Sequence, residues 1–254
     1  MKQIDSMMQD IGGIDTASGV PLYVQLKEIL REQIRSKAWK PGDRIPTEEA
    51  IKEHFQVSRA TVRQAIAVLE QEGHLSRHQG RGTFVSQPKI EMKLQNFYSF
   101  TQDMAERGLH PETRIIQFDV ILRRSGVAEI LGVPEMEPLV KLVRLRMADG
   151  EPIMLETTYI PERLVPDLTE EDLAAHPLYS LLEERYHMRL NQAVESFEPI
   201  LIDDFAAKML DVSKGSPALY LERIGLLADG QRVELSQSVV RGDRCRYFVE
   251  LLRS

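Results

Sequence analysis

The sequence predicts an α+β protein of two domains: three helices and a short hairpin first, then a mostly antiparallel sheet with helices. Three observations lead there. Residues 21–85 carry apolar side chains at helical spacing, broken by capping and turn residues and ending in a glycine-tipped hairpin pattern. Residues 127–161 and 206–240 repeat one another as short helix, Pro-led strand, Asp-Gly turn and second strand. The other strands and helices lack the regular alternation that parallel βαβ units require.

Residues 1–20 show no periodicity and are expected to be a flexible tail. Pro21 opens a helix whose Leu22, Leu26, Ile29, Leu30 and Ile34 share one face, and WKPGDR at Trp39–Arg44 is a turn. Thr47, followed by Glu48 and Glu49, starts a helix running to about Phe55. Ser58 caps the next, in which Val62, Ala65, Ile66 and Leu69 form the buried face. Gly73 stops it, and Leu75–Val85 turns back on itself around Gln79–Gly82.

Two helices on a tight turn, followed by a hairpin, describe a winged helix-turn-helix. The outward face of its second helix carries Ala60, Arg63 and Gln64, with Arg59 in the first turn. Such side chains suit a DNA major groove, where Arg reads guanine and Gln adenine through paired hydrogen bonds. Gly80 and Gly82 would let the wing backbone approach a phosphate or place Arg81 in a minor groove. A helix pair with a solvated charged face is the plainer account, but the order of helix, turn, helix and glycine-tipped hairpin is more specific than any one motif.

From Pro21 to Val85, PLYVQLKEILREQI and PGDRIPTEEAIKEHFQVSRATVRQAIAVLEQEGHLSRHQGRGTFV resemble the DNA-binding domain of the GntR family of bacterial transcription regulators. The resemblance implies contacts to double-stranded operator DNA at Thr47, Arg59, Thr61, Arg63 and Gly80. Two positions depart from it: Glu49 stands where relatives often carry Arg, and Gln79 where many carry Lys. Fewer cations then face the phosphates.

The net charge of −7 argues against nucleic acid until its distribution is considered. Residues 21–88 hold 11 basic against 8 acidic side chains, net +3, while the tail carries −2 and the remainder −8. So modest a positive charge suggests two copies binding together. One cysteine, Cys245, rules out an internal disulfide framework and suits a cytoplasmic location. There is no apolar run long enough to cross a membrane and no signal-like N-terminus. No metal ligands cluster, no cofactor motif occurs, and the six histidines are scattered without nucleophile-base spacing.

The boundary between domains is expected within 86–94, with tail 1–20, DNA-binding domain 21–88 and second domain 89–254. A helix is expected from Ser99 to Arg107, stopped by Gly108, and another from Tyr179 to Tyr186; further strands are expected at 113–123, 191–202 and 245–252. The internal repeat suggests two hairpins related by a pseudo-twofold in one sheet, with helices on one side. Strand alternation places Arg144 and Arg146 on one face and Val143, Leu145 and Met147 on the other. An odd-length loop at Asp149-Gly150 would bring Met154, Glu156 and Thr158 to the arginine face, with Glu234, Ser236 and Ser238 answering in the repeat. Arginine pairs suit phosphate or carboxylate, and the N-terminus of the Ser99 helix adds free N–H groups. On these residues alone, an exposed face with surface ion pairs explains the pattern equally well.

From Leu94 onward, QNFYSFTQDMAERGLHP, VRLRMADGEPIMLETTYIP and SVVRGDR resemble the effector domain called UTRA of the HutC-type subfamily, whose fold is like chorismate lyase. Within it the chain is similar to repressors of N-acetylglucosamine use, which answer to phosphorylated amino sugars. The resemblance implies a phosphate site at the backbone of Phe100 and Thr101 and the side chains of Arg144 and Arg146, beside the Ser99 helix start, and sugar contacts at Glu156 and Glu234. A phosphate-contacting Ser of those relatives is Pro177 here, and a Tyr is Val240. The expected function is a homodimeric operator-binding repressor released by a small anionic effector such as a sugar phosphate. A chorismate-lyase-like enzyme acting on a carboxylate and a ligand-free architectural DNA-binding protein remain the alternatives.

Overall fold

The computed structural model describes residues 13–78, 80–94, 100–122 and 124–251. The chain divides into two compact units between Ile90 and Glu91.

In the first unit, α1 (Leu22–Arg35), α2 (Glu48–Phe55) and α3 (Arg59–Gln71) precede a hairpin of β1 (Leu75–His78) and β2 (Gly82–Val85). The caps are those the sequence implies. Thr47 Oγ1 accepts from Ala50 N at 3.2 Å and Ser58 Oγ from Thr61 N at 3.1 Å, each filling one of the donors a helix start leaves open. Gly73, with φ of 76°, lets His74 N reach Leu69 O and Gly73 N reach Glu70 O, which closes α3. Leu26, Leu30, Trp39, Ile51, Val62, Ala65, Ile66 and Leu69 make the core.

Residues 13–20, expected to be free tail, are instead tied to α1. Gln25 Nε2 donates to the carbonyls of Asp15 and Val20 and to Ser18 Oγ, its Oε1 accepts from Asp15 N, and Ile14 packs on the core. One amide side chain satisfying several turn groups orders a segment whose composition alone reads as loose.

In the second unit, six strands among the described residues form one antiparallel sheet. They are β4 (Pro111–Ile121), β5 (Leu139–Ala148), β6 (Glu151–Pro161), β7 (Gln192–Leu201), β8 (Pro217–Leu226) and β9 (Arg232–Arg241), in the order β4-β5-β6-β9-β8-β7. That order reads as two three-strand halves joined at β6 and β9. Thr157 opposite Gln237 lies at the centre, with Glu156–Ser238 and Thr158–Ser236 symmetrically about it, as the internal repeat requires.

Helices cover both faces, not one. The repeat helices α5 (Ser125–Leu131) and α8 (Asp204–Leu210) pack behind, against Leu139, Tyr159 and Leu235 and against Val143, Leu145 and Leu155 respectively. In front lie α4 (Phe100–Glu106), α6 (Glu170–Ala175) and α7 (Leu178–Glu184), with Leu178, Leu181 and Leu182 buried against Val140, Leu142 and Ile160. The front helices fall outside the repeat, so its symmetry could not announce them. The expected start of the Ser99 helix lies outside the described residues; α4 ends as expected at Gly108, φ 74°.

Part of the segment 86–94, where the domain boundary is expected, is strand. Ile90–Lys93 is a strand, β3, paired with β10 (Cys245–Phe248), and Arg246 binds Glu91. Its buried-exposed alternation is short enough to pass for linker until the C-terminal partner is in place.

Candidate functional site

A cleft on the front of the sheet holds about 570 Å³ of empty space, its open mouth included. Phe100 and Thr101 of α4 form one wall, Pro177, Leu178 and Tyr179 at the start of α7 another, and the floor is sheet: Arg144, Arg146, Met154, Glu156, Leu221, Arg223, Ser236 and Ser238.

Floor parity comes from a bulge. Asp149 and Gly150, at φ 50° and 76°, make a two-residue turn with both residues left-handed, the hairpin type that Asp-Gly favours. Ala148 faces Glu151 and Met147 faces Pro152, but Arg146 faces Met154, so Ile153 is the extra residue. The bulge, not the loop, brings Met154, Glu156 and Thr158 to the arginine face.

Glu156 is the hub. Its Oε2 lies 2.7 Å from Arg144 Nη2 and 2.8 Å from Arg146 Nη2, and accepts from Arg146 Nε at 2.9 Å. Burial alone would raise its pKa, but the two guanidiniums hold it at about 2. Arg144, 4 % exposed, has its pKa lowered by burial and by Arg146, and donates to Thr158 Oγ1 at 3.0 Å. The Arg146 guanidinium lies 5.7 Å from the centre of the Phe100 ring, within cation–π range. One carboxylate shared by two arginines leaves a positive excess, which suits a small anion.

Glu234 stands a layer back from the cleft lining. Its Oε1 accepts from Ser236 Oγ at 2.6 Å and Tyr179 Oη at 3.4 Å, both cleft residues. Burial raises its pKa, and Oε2 has no hydrogen-bond partner among the described residues. Sequence parity put it on the correct face without showing that Ser236 and Tyr179 come between it and the lumen. Arg223 holds in the second copy of the repeat the position that Arg144 holds in the first, a sequence signal that places it on the cleft face; it donates from Nε to Glu195 Oε1 at 2.6 Å and from Nη1 to Tyr179 Oη at 3.2 Å. Tyr179 carried no signal beyond its helix. Pro177 offers the cleft neither N–H nor hydroxyl, and Val240 is fully buried opposite Met154. Ser99 lies outside the described residues.

In the first unit, Thr47, Arg59, Arg63, Gln64, Gly80 and Arg81 are exposed and Thr61 is half-buried. Thr61 Oγ1 is engaged with Ser58 Oγ at 2.8 Å. Arg63 and Arg81 have no acidic partner among the described residues, whereas Arg59 has Glu48. Glu49 pairs with Lys52, which removes one cation and occupies another. Gln79 lies outside the described residues. No described helix is long and apolar enough to cross a membrane.

Comparison with known proteins agrees with both halves. Residues 22–85 match the model of bacterial regulatory proteins, gntR family, and residues 106–246 that of the UTRA domain. The chain is 37% identical to the HTH-type transcriptional repressor NagR of Bacillus subtilis (strain 168), over 91% of this chain and 95% of that protein. It is 30% identical to the mannosyl-D-glycerate transport/metabolism system repressor MngR of Escherichia coli (strain K12), over 89% and 94%. The crystal structure of PhnF from Mycobacterium smegmatis superposes with a TM-score of 0.61 at 27% identity, covering 92% of this chain and all of that one. With a gntR match across the helix-turn-helix and a UTRA match across the clefted sheet, the chain belongs to the GntR family of bacterial regulatory proteins and is a transcriptional regulator, not an enzyme.

Proposed function

We propose that the protein is a homodimeric repressor of a carbohydrate- or amino-sugar-utilisation operon, released from operator DNA by a small phosphorylated sugar. The observation that carries this reading is the pair of buried Arg144 and half-buried Arg146, sharing one carboxylate on the floor of a cleft open to solvent. The resemblance to repressors of N-acetylglucosamine use and the identity with MngR support the sugar, and the positive excess on the floor supports the anion. Phe100, Thr101, Arg144 and Arg146 take the phosphate, while Glu156 and Glu234 face sugar hydroxyls or an amine, Glu234 through Ser236 and Tyr179. Thr47, Arg59, Thr61, Arg63, Gln64, Gly80 and Arg81 meet the duplex. Pro177 removes one donor from the anion wall, so the preferred effector depends more on the arginines.

Thermal-shift measurements against phosphorylated and unphosphorylated hexoses and hexosamines test the reading. A ligand present at 100 times its dissociation constant adds about 2.7 kcal/mol to a fold that alone binds it. Stabilisation by the phosphorylated members only, lost in the Arg144→Ala, Arg146→Ala double variant, is the expected result. A phosphorylated sugar that stabilises the double variant equally would move the anion elsewhere.

A further inference from the structure

In the DNA-binding unit an acidic side chain occupies ground where cations are needed. Glu48, the first residue of α2, lies between α3 and the wing. Its Oε2 is 3.6 Å from Arg59 Nε on α3, and its Oε1 is 3.2 Å from Arg77 Nη2 on β1. Arg77 Nε also binds Glu70 Oε1, on α3, at 3.0 Å. The Arg59 and Arg77 side chains are 69% and 45% exposed and Glu48 only 22%, so the cations reach solvent above a half-covered carboxylate. Glu48 and Arg77 line one cleft with Arg44, Thr47, Gly80 and Gly82, which brings helix start and wing tip together.

We propose that Glu48 is a positioning and specificity-setting residue for DNA binding. It holds Arg59 and Arg77 at a fixed separation in the free protein and gives way to backbone phosphates when a duplex docks. Exposed ion pairs of this kind are weak enough to exchange. Because both arginines begin partly neutralised, they displace fewer counterions on docking than free cations would, so charge alone contributes less to affinity. Any duplex supplies phosphates, but only a matching one adds the base contacts of Arg63 and Gln64. Discounting the first raises the share of the second.

The inference rests on the DNA-binding reading, and its test separates the two. The full-length protein and Glu48→Gln are titrated with a mixed-sequence duplex over a range of salt. Glu48→Gln is expected to bind that duplex several-fold more tightly, with log K falling more steeply against log salt, by up to about 0.9 for each of the two arginines freed from its pairing. The gain is expected to vanish in an Arg59→Ala, Arg77→Ala background. Unchanged affinity and slope in Glu48→Gln would overturn the proposal, as would a gain that persists without the two arginines, since that is general repulsion. Should Glu48→Gln melt below the assay temperature, Arg77→Ala carries the test: its slope is expected to flatten by clearly less than the about 0.9 that an unpaired cation gives, and a flattening of the full 0.9, or none, overturns the proposal. A wild-type protein that fails to bind the duplex even at low salt would remove the DNA-binding reading itself.

Discussion

Two carboxylates in one cleft are driven in opposite directions, and stability should follow each with its own sign. Glu156 has its folded pKa held at about 2 by Arg144 and Arg146, against burial. Its contribution is fully present above the ordinary carboxylate value of 4.5 and is lost as pH falls toward 2. Burial raises the folded pKa of Glu234, so its cost is absent below 4.5 and grows as pH rises through the folded value. Glu234→Gln keeps an oxygen for Ser236 and Tyr179 but cannot ionise. It is therefore expected to be more stable than wild type at neutral pH and no more stable near pH 4, as measured by urea unfolding at several pH values. A constant difference across that range would mean that folding does not shift the Glu234 pKa. Which face these side chains occupy was legible from alternation. Which of them touches the lumen was not, because the intervening Tyr179 arrives on a helix distant in sequence.

Among the elements, those closed by local groups were legible and those closed by distant partners were not. Ser58 and Thr47 cap their helices and Gly73 ends α3, each through bonds spanning a few residues. Ser58→Ala is expected to cost about 1 kcal/mol and to weaken DNA binding by fraying the start of α3, read by denaturant unfolding alongside a gel-shift titration. Unchanged stability would mean that water replaces the cap. The bulge at Ile153 is different: an extra residue in β6 is defined only against its partner β5. Deleting Ile153 should straighten β6 and leave Met154 opposite Arg146, so that Glu156 and Thr158 keep the arginine face. The cost is then that of one buried apolar side chain, about 2 to 5 kcal/mol in urea unfolding. Loss of cooperative unfolding would show instead that the bulge itself holds the sheet. Strand β3 was missed for the same reason, its partner β10 lying at the far end of the chain.

At the scale of the whole molecule, the proposed switch is a coupling between cleft and helix-turn-helix, and coupling is reciprocal. An effector that weakens operator affinity by some factor must have its own affinity weakened by operator to the same factor. Calorimetry with a phosphorylated sugar, with and without operator, should find the sugar bound more weakly in the presence of operator, and an affinity that operator leaves unchanged would remove the proposed coupling. Arg144→Ala with Arg146→Ala should leave operator affinity nearly unchanged while removing the response. Light scattering should find a dimer at micromolar concentration, since a unit of net charge +3 offers few phosphate contacts alone. A monomer bound to one half-site would end that proposal.

By itself, the sequence determined the helices of the first unit, the wing, the paired hairpins and the face on which Arg144 and Arg146 stand. Caps, glycine turns and side-chain periods are local properties, written within a few residues of where they act. Tertiary structure alone decided that helices cover both faces of the sheet, that Ile153 bulges, that β3 pairs with β10, and that Tyr179 joins the cleft. Each of these depends on contacts between residues far apart in the chain, and no local pattern encodes which distant segment will supply the partner.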